Sequence, residues 1–261
     1  MTSRIIRIAL ILVVAGLAAP GTWAGDANDT AAETVRDDAI SKIVAWRTKS
    51  GENSLKKKAR FEDTQPWLTA EGLLMATYGI GQDEQLVSQG LQILEVQAKK
   101  APEDPVAEYY RGVVLSWTDQ PDKAKAAWQS SKQRAQSLVK SDSKDARAQY
   151  YLGASLVNLR QPDAARKALK KAGRAGWDKP MVDFQTGISF LLEENWKAAK
   201  TSFDEVHELD PRFAHLYFYR ALAWDKLGEK ARFINDLDQF VKLAPNSPEA
   251  KTARAILSSV Q

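Results

Sequence analysis

The stretch YLGASLVNLRQPDAARKALKKAGRAGW, residues 151–177, decides the fold, because its spacings recur down the chain. Gly153 is followed at 34-residue steps by Gly187 and Ala221, all small. Sixteen residues after each stands a large apolar side chain, Leu169, Phe203 or Leu237. Twelve after each come Ala165, Ala199 and Phe233, and 24 after each come Trp177, Pro211 and Pro245. One period shared by several spacings predicts a stacked unit of about 34 residues. Each unit reads as two helices, with Gly and Pro as punctuation and no run of alternating β-branched residues. The small residue on the first helix lets the second approach closely, and the large residue fills the gap between neighbouring units. Proline closes each unit because it cannot continue a helix interior.

The pattern extends upstream. Gly112, Ala124 and Trp128 keep the spacings of 12 and 16, and Gln120-Pro121-Asp122 returns as Gln161-Pro162-Asp163. Proline suits a first helical turn, so both tripeptides mark helix starts. The step from Gly112 to Gly153 is 41, seven more than the period. Seven residues are about two helical turns, which predicts an extended helix from Pro121 to about Lys140.

Leu152 to Leu156, Trp196-Lys197-Ala198-Ala199 and the stretch from Phe218 to Gly228 resemble tetratricopeptide repeats, as do the endings Leu209-Asp210-Pro211 and Leu243-Ala244-Pro245. The resemblance covers 105–247 well and 71–104 weakly; Phe233 and Gly81 depart from the family's pattern. It implies an all-α, right-handed solenoid of helix-turn-helix units at about 71–104, 105–145, 146–179, 180–213 and 214–247, with an N-terminal helix before it. Ser247-Pro248-Glu249 is a helix start, so 248–261 reads as the cap that lets a solenoid end in water.

The chain has 261 residues, a net charge of +4, two histidines and no cysteine. Disulfides, thiolate metal sites and a cysteine nucleophile are thereby excluded. Arg4, Arg7, the apolar run 8–19 and Thr22-Trp23-Ala24 read as a secretory signal peptide cleaved near Ala24, too short in its apolar part for an anchor. Losing it lowers the charge by two, so nucleic acid is not indicated. A periplasmic or secreted protein without a stable membrane anchor is expected. Ala32, Val35, Ala39, Ile43 and Trp46 share one face of a helix over 29–49, ended by Ser50-Gly51. Residues 51–65 read as a polar linker.

No catalytic constellation is present. His207 and His215 lack the His-Glu-x-x-His spacing and read as surface residues, and no pair of carboxylates stands apart from helix-surface pairs. No catalytic residue, metal ligand or cofactor is expected, and the chain reads as a non-enzyme. The positive signal is a stripe on the first helices: Tyr109, Tyr150, Phe184 and Phe218, three residues before each small one, and Val113, Ile188 and Leu222 just after it. In tetratricopeptide arrays the resemblance implies that these positions face the concave groove; Trp117 and Met181 adjoin them. The same spacing also fits ordinary inter-helix core. An aromatic groove suits a protein-binding scaffold of the cell envelope that holds a partner peptide or helix. The alternative is a glycan or small-ligand module with Tyr109, Trp117 and Tyr150 stacking on the ligand.

Overall fold

A computed structural model describes residues 27–57 and 64–260. The segment read as a signal peptide lies outside them, as do 58–63 of the expected linker. The chain divides after Ala31, and every contact described below lies within Ala32–Gln261. The described residues hold thirteen helices and no strand: α1 Ala27–Val44, α2 Thr48–Lys57, α3 Gln65–Gly79, α4 Glu84–Lys100, α5 Val106–Trp117, α6 Pro121–Ser141, α7 Ala146–Asn158, α8 Pro162–Arg174, α9 Lys179–Leu191, α10 Trp196–Leu209, α11 Ala214–Lys226, α12 Lys230–Leu243 and α13 Ala250–Val260. From α3 to α12 they stack in antiparallel pairs, each pair packed on the next, and α13 closes the solenoid against α12.

The small and large residues meet as the period requires, but within a unit. A Cβ on Gly153 would lie 2.7 Å from Leu169 Cγ, one on Gly187 2.6 Å from Phe203 Cε1, and one on Gly112 2.5 Å from Trp128 Nε1. Each large side chain therefore caps its own unit's glycine, where the spacing alone had suggested the gap between units. The first pair begins earlier than the expected unit at 71: Gln65–Gly79 carries Gly72, whose Cβ would sit 3.1 Å from the Gly90 carbonyl of α4.

One backbone device closes the turn inside successive units. Asp119, Arg160, Glu194 and Gly228 all have left-handed φ, between 55° and 78°. At Arg160 the following amide, Gln161 N–H, bonds back to Leu156 O, and Arg160 N–H bonds to Val157 O, which together satisfy the last carbonyls of α7. The seven extra residues lengthen α6 to 21, against 13 in α8, so the longer step is absorbed within one helix.

The polar linker expected from 51 is corrected over 51–57, which is helical in α2. The N-terminal helix stops at Val44 rather than Lys49, because Trp46 takes a left-handed φ of 62° and the Arg47 amide returns to Lys42 O. Gly51 is not a terminator. It is buried in α2, where the absence of a side chain makes room for Ile43 of α1, whose Cγ1 would stand 2.6 Å from a Cβ. The two helices thus form a hairpin.

Candidate functional site

The first helices of the units, α5, α7, α9 and α11, present one inner face, and the end of α1 lies on it. A cavity of about 170 Å³ remains between them, lined by Ile43, Val44 and Trp46 on one side and by Tyr109, Val113, Trp117, Tyr150, Phe184, Ile188 and Tyr219 on the other. Six of the nine residues expected in a groove line it. Met181, Phe218 and Leu222 do not.

The stripe itself divides by depth. Tyr109, Tyr150, Phe184 and Met181 are buried, at 4%, 1%, 7% and 2% exposure; Val113, Trp117, Ile188 and Phe218 are half-buried; Leu222 is exposed. Tyr150 stacks on Trp177 at 5.3 Å, and Phe184 packs on Phe213 at 4.7 Å. The Tyr109 hydroxyl receives the Asn158 and Gln185 amides at 3.4 and 3.1 Å. Burial pushes that hydroxyl up to about 12, with the two amides pulling the other way. These deep rings are inter-helix core that also floors the cavity. Tyr109 and Tyr150 offer no open ring face, which removes the geometry that sugar stacking needs.

Residues 33–47 follow the inner face and are tied to it along their length. Arg36, wholly buried, donates to Asp104 in the α4–α5 loop at 2.8 Å. Burial opposes its charge, but Asp104 and Asp37 hold the guanidinium above its ordinary value. Asp104 is itself fixed: it accepts the Val106 amide at 3.0 Å, and Arg134 of α6 donates to the carbonyls of Ala98, Ala101 and Asp104. Glu33 pairs with Arg147 of α7. At the other end, the Ala214 amide, one of the unpaired donors at the start of α11, donates to Ala45 O at 3.2 Å. Arg47 pairs with Asp210 at 2.9 Å. Trp46 meets Trp117 and His215 edge to face at 5.8 and 5.2 Å.

The histidines are not a surface pair. His215 is buried, with Nε2 3.4 Å from Glu249, and His207 shares a 3.0 Å hydrogen bond with the Tyr217 hydroxyl. Among the described residues, no group of three or more His, Asp or Glu could hold a metal ion, and no helix is long and apolar enough to cross a membrane.

The sequence missed Arg36 as part of this site. It occupies the buried stripe with Ala32, Val35, Ala39, Ile40 and Ile43. An arginine at the apolar phase of a helix was the available signal, since a buried charge requires a partner.

Comparison with known proteins agrees with this architecture. A tetratricopeptide-repeat family model matches residues 147–174. No curated protein matches the chain. Among solved structures, TTC0263, a thermophilic tetratricopeptide-repeat protein of Thermus thermophilus, aligns at 16% identity over 75% of this chain and 98% of its own, with a TM-score of 0.53. YrrB, described as a tetratricopeptide-repeat protein with an unusual peptide-binding site, aligns at 20% identity over 76% of this chain and 97% of its own, with a TM-score of 0.40. A MamA structure aligns at 18% identity over 69% and 96%, with a TM-score of 0.37.

Proposed function

We propose that this chain, a tetratricopeptide-repeat protein, is a non-catalytic scaffold of the cell envelope whose inner face holds a helix of a partner protein. A repeat array supplies a long, rigid, curved wall, and such a wall binds by anchoring a few side chains of an extended or helical segment. One observation carries the reading. The inner face already seats a helix, residues 33–44 of α1, through an apolar floor with an acidic acceptor near each end of residues 36–47, Asp104 and Asp210. The envelope assignment rests on the export-like pattern of residues 1–24.

The test uses side chains that line the cavity without belonging to the deep core. Replacing Val113 and Ile188 together by Glu should leave the helical circular dichroism and its melt near wild type. It should also abolish capture of partners from envelope extract. Lys170→Glu, at an exposed position of α8, is the control and should change neither. Capture at wild-type level by the folded double variant would remove the inner face from the binding function.

A further inference from the structure

Residues 32–47 lie on the inner face of the array, with Ala32, Arg36, Ala39, Ile40 and Ile43 buried. The segment meets the wall through Arg36, Arg47 and the Ala45 carbonyl, and the cavity of about 170 Å³ lies where its end meets that wall. Two buried donors of the segment, Arg36 Nη2 and Arg47 Nε, make no hydrogen bond. The turn that carries Trp46 is left-handed, a conformation that non-glycine residues adopt at a cost. An open cavity, unpaired donors and a left-handed turn therefore fall together on one segment, at the face where the array would take a partner.

We infer that residues 32–47 are a resident occupant of the inner face, which must leave before a partner helix of the same chemistry can enter. This rests on the proposed function, because it names the partner and the regulation of that same face. The face specifies the chemistry. Asp104 and Asp210 receive Arg36 and Arg47, eleven residues apart, across an apolar floor of Val113, Ile188 and Phe184. The partner is an amphipathic helix with two basic residues at about that spacing around an apolar stripe. A helix that fills the void and pairs its donors displaces the resident. The affinity measured in the intact chain is the intrinsic one reduced by the fraction of molecules with the segment released.

The full chain contains no cysteine, so a lock can be introduced cleanly. The Ala45 carbonyl and the Ala214 amide are 3.2 Å apart, which brings these backbones within the span of a disulfide. The probe is a fluorescent synthetic peptide of residues 30–49, read by anisotropy against the Ala45→Cys/Ala214→Cys chain. The reduced chain should bind the peptide, oxidation should weaken binding at least about tenfold, and reductant should restore it. A peptide with Glu at both arginine positions should not bind. Arg36→Met in the chain, checked by circular dichroism, should raise peptide affinity by loosening the resident.

Three results overturn the inference. They are peptide binding that oxidation leaves unchanged, no peptide binding by a folded Arg36→Met chain, and disulfide-linked dimers on oxidation, which would make the occupant a second copy. The two readings fail separately. Envelope partners captured equally by the oxidised chain would leave the scaffold standing without the latch. Peptide exchange without any captured partner would leave the latch without the scaffold.

Discussion

Gly187 and Gly51 stand in matching contacts, each with a neighbouring side-chain carbon 2.6 Å from where a Cβ would be, yet they hold together different kinds of joint. Gly187 seats Phe203 between α9 and α10, a pair packed on further helices at both sides. Gly51 seats Ile43 in the α1–α2 hairpin, whose first helix lies on the inner face rather than within the stack of repeated pairs. The local chemistry is equal, and the difference lies in what depends on it. A joint inside a stacked array is supported by its neighbours and supports them in turn. The hairpin's joint supports one segment.

The largest effect expected is Tyr150→Ala. Deleting a buried aromatic ring that stacks on Trp177 should cost about 3–5 kcal/mol and lower the urea midpoint of the whole array. If partner capture falls while the midpoint holds, Tyr150 belongs to the groove and not to the core.

Next comes the pair of glycines. Gly187→Leu should cost about 1–3 kcal/mol or more by overpacking and should be felt in the global melt. Gly51→Leu should crowd Ile43 equally but strip hydrogen-exchange protection from α1 and α2 while α9 and α10 keep theirs. Equal losses of global stability would erase the distinction between array and hairpin.

A smaller effect tests where the two regions meet, at Trp46, His215 and Glu249. Burial raises the Glu249 carboxyl, but the His215 imidazole 3.4 Å away outweighs it and holds Glu249 below its ordinary value. Its contribution to stability is therefore full above the ordinary carboxylate range and is lost as pH falls through the lowered value. Glu249→Gln should melt below wild type at neutral pH, and the two curves should converge in acid. Parallel curves at every pH would mean that the carboxylate's charge does nothing there.

The smallest effect is Lys99→Ala. Its partner Glu95 is four residues earlier on α4, and both side chains are largely exposed. Chemical denaturation should register less than about 0.5 kcal/mol.

The array was readable because its signal is redundant. Gly153 with Leu169, Gly187 with Phe203 and Gly112 with Trp128 repeat one contact, so each occurrence supports the others. The hairpin occurs once. Trp46 carries a left-handed turn with nothing in its residue type to announce it, and Gly51 was open to reading as a terminator when it is a site of close packing. Periodicity put Tyr109, Tyr150 and Phe184 on the right helices but could not set their depth, because a ring at one helical phase can both line a cavity and pack beneath it. What covers the inner face was hidden in Arg36, whose meaning depends on Asp104, 68 residues away.

The length of α6 bears on how such an array changes size. Its 21 residues carry the seven beyond the period, and each residue turns a helix by about 100°, so seven return a side chain to within about 20° of its starting direction. Helix length in a stacked array is thus a phase as well as a distance. Insertions of seven keep the buried stripe facing its neighbour, whereas two or five would swing the downstream turns of the same helix toward solvent.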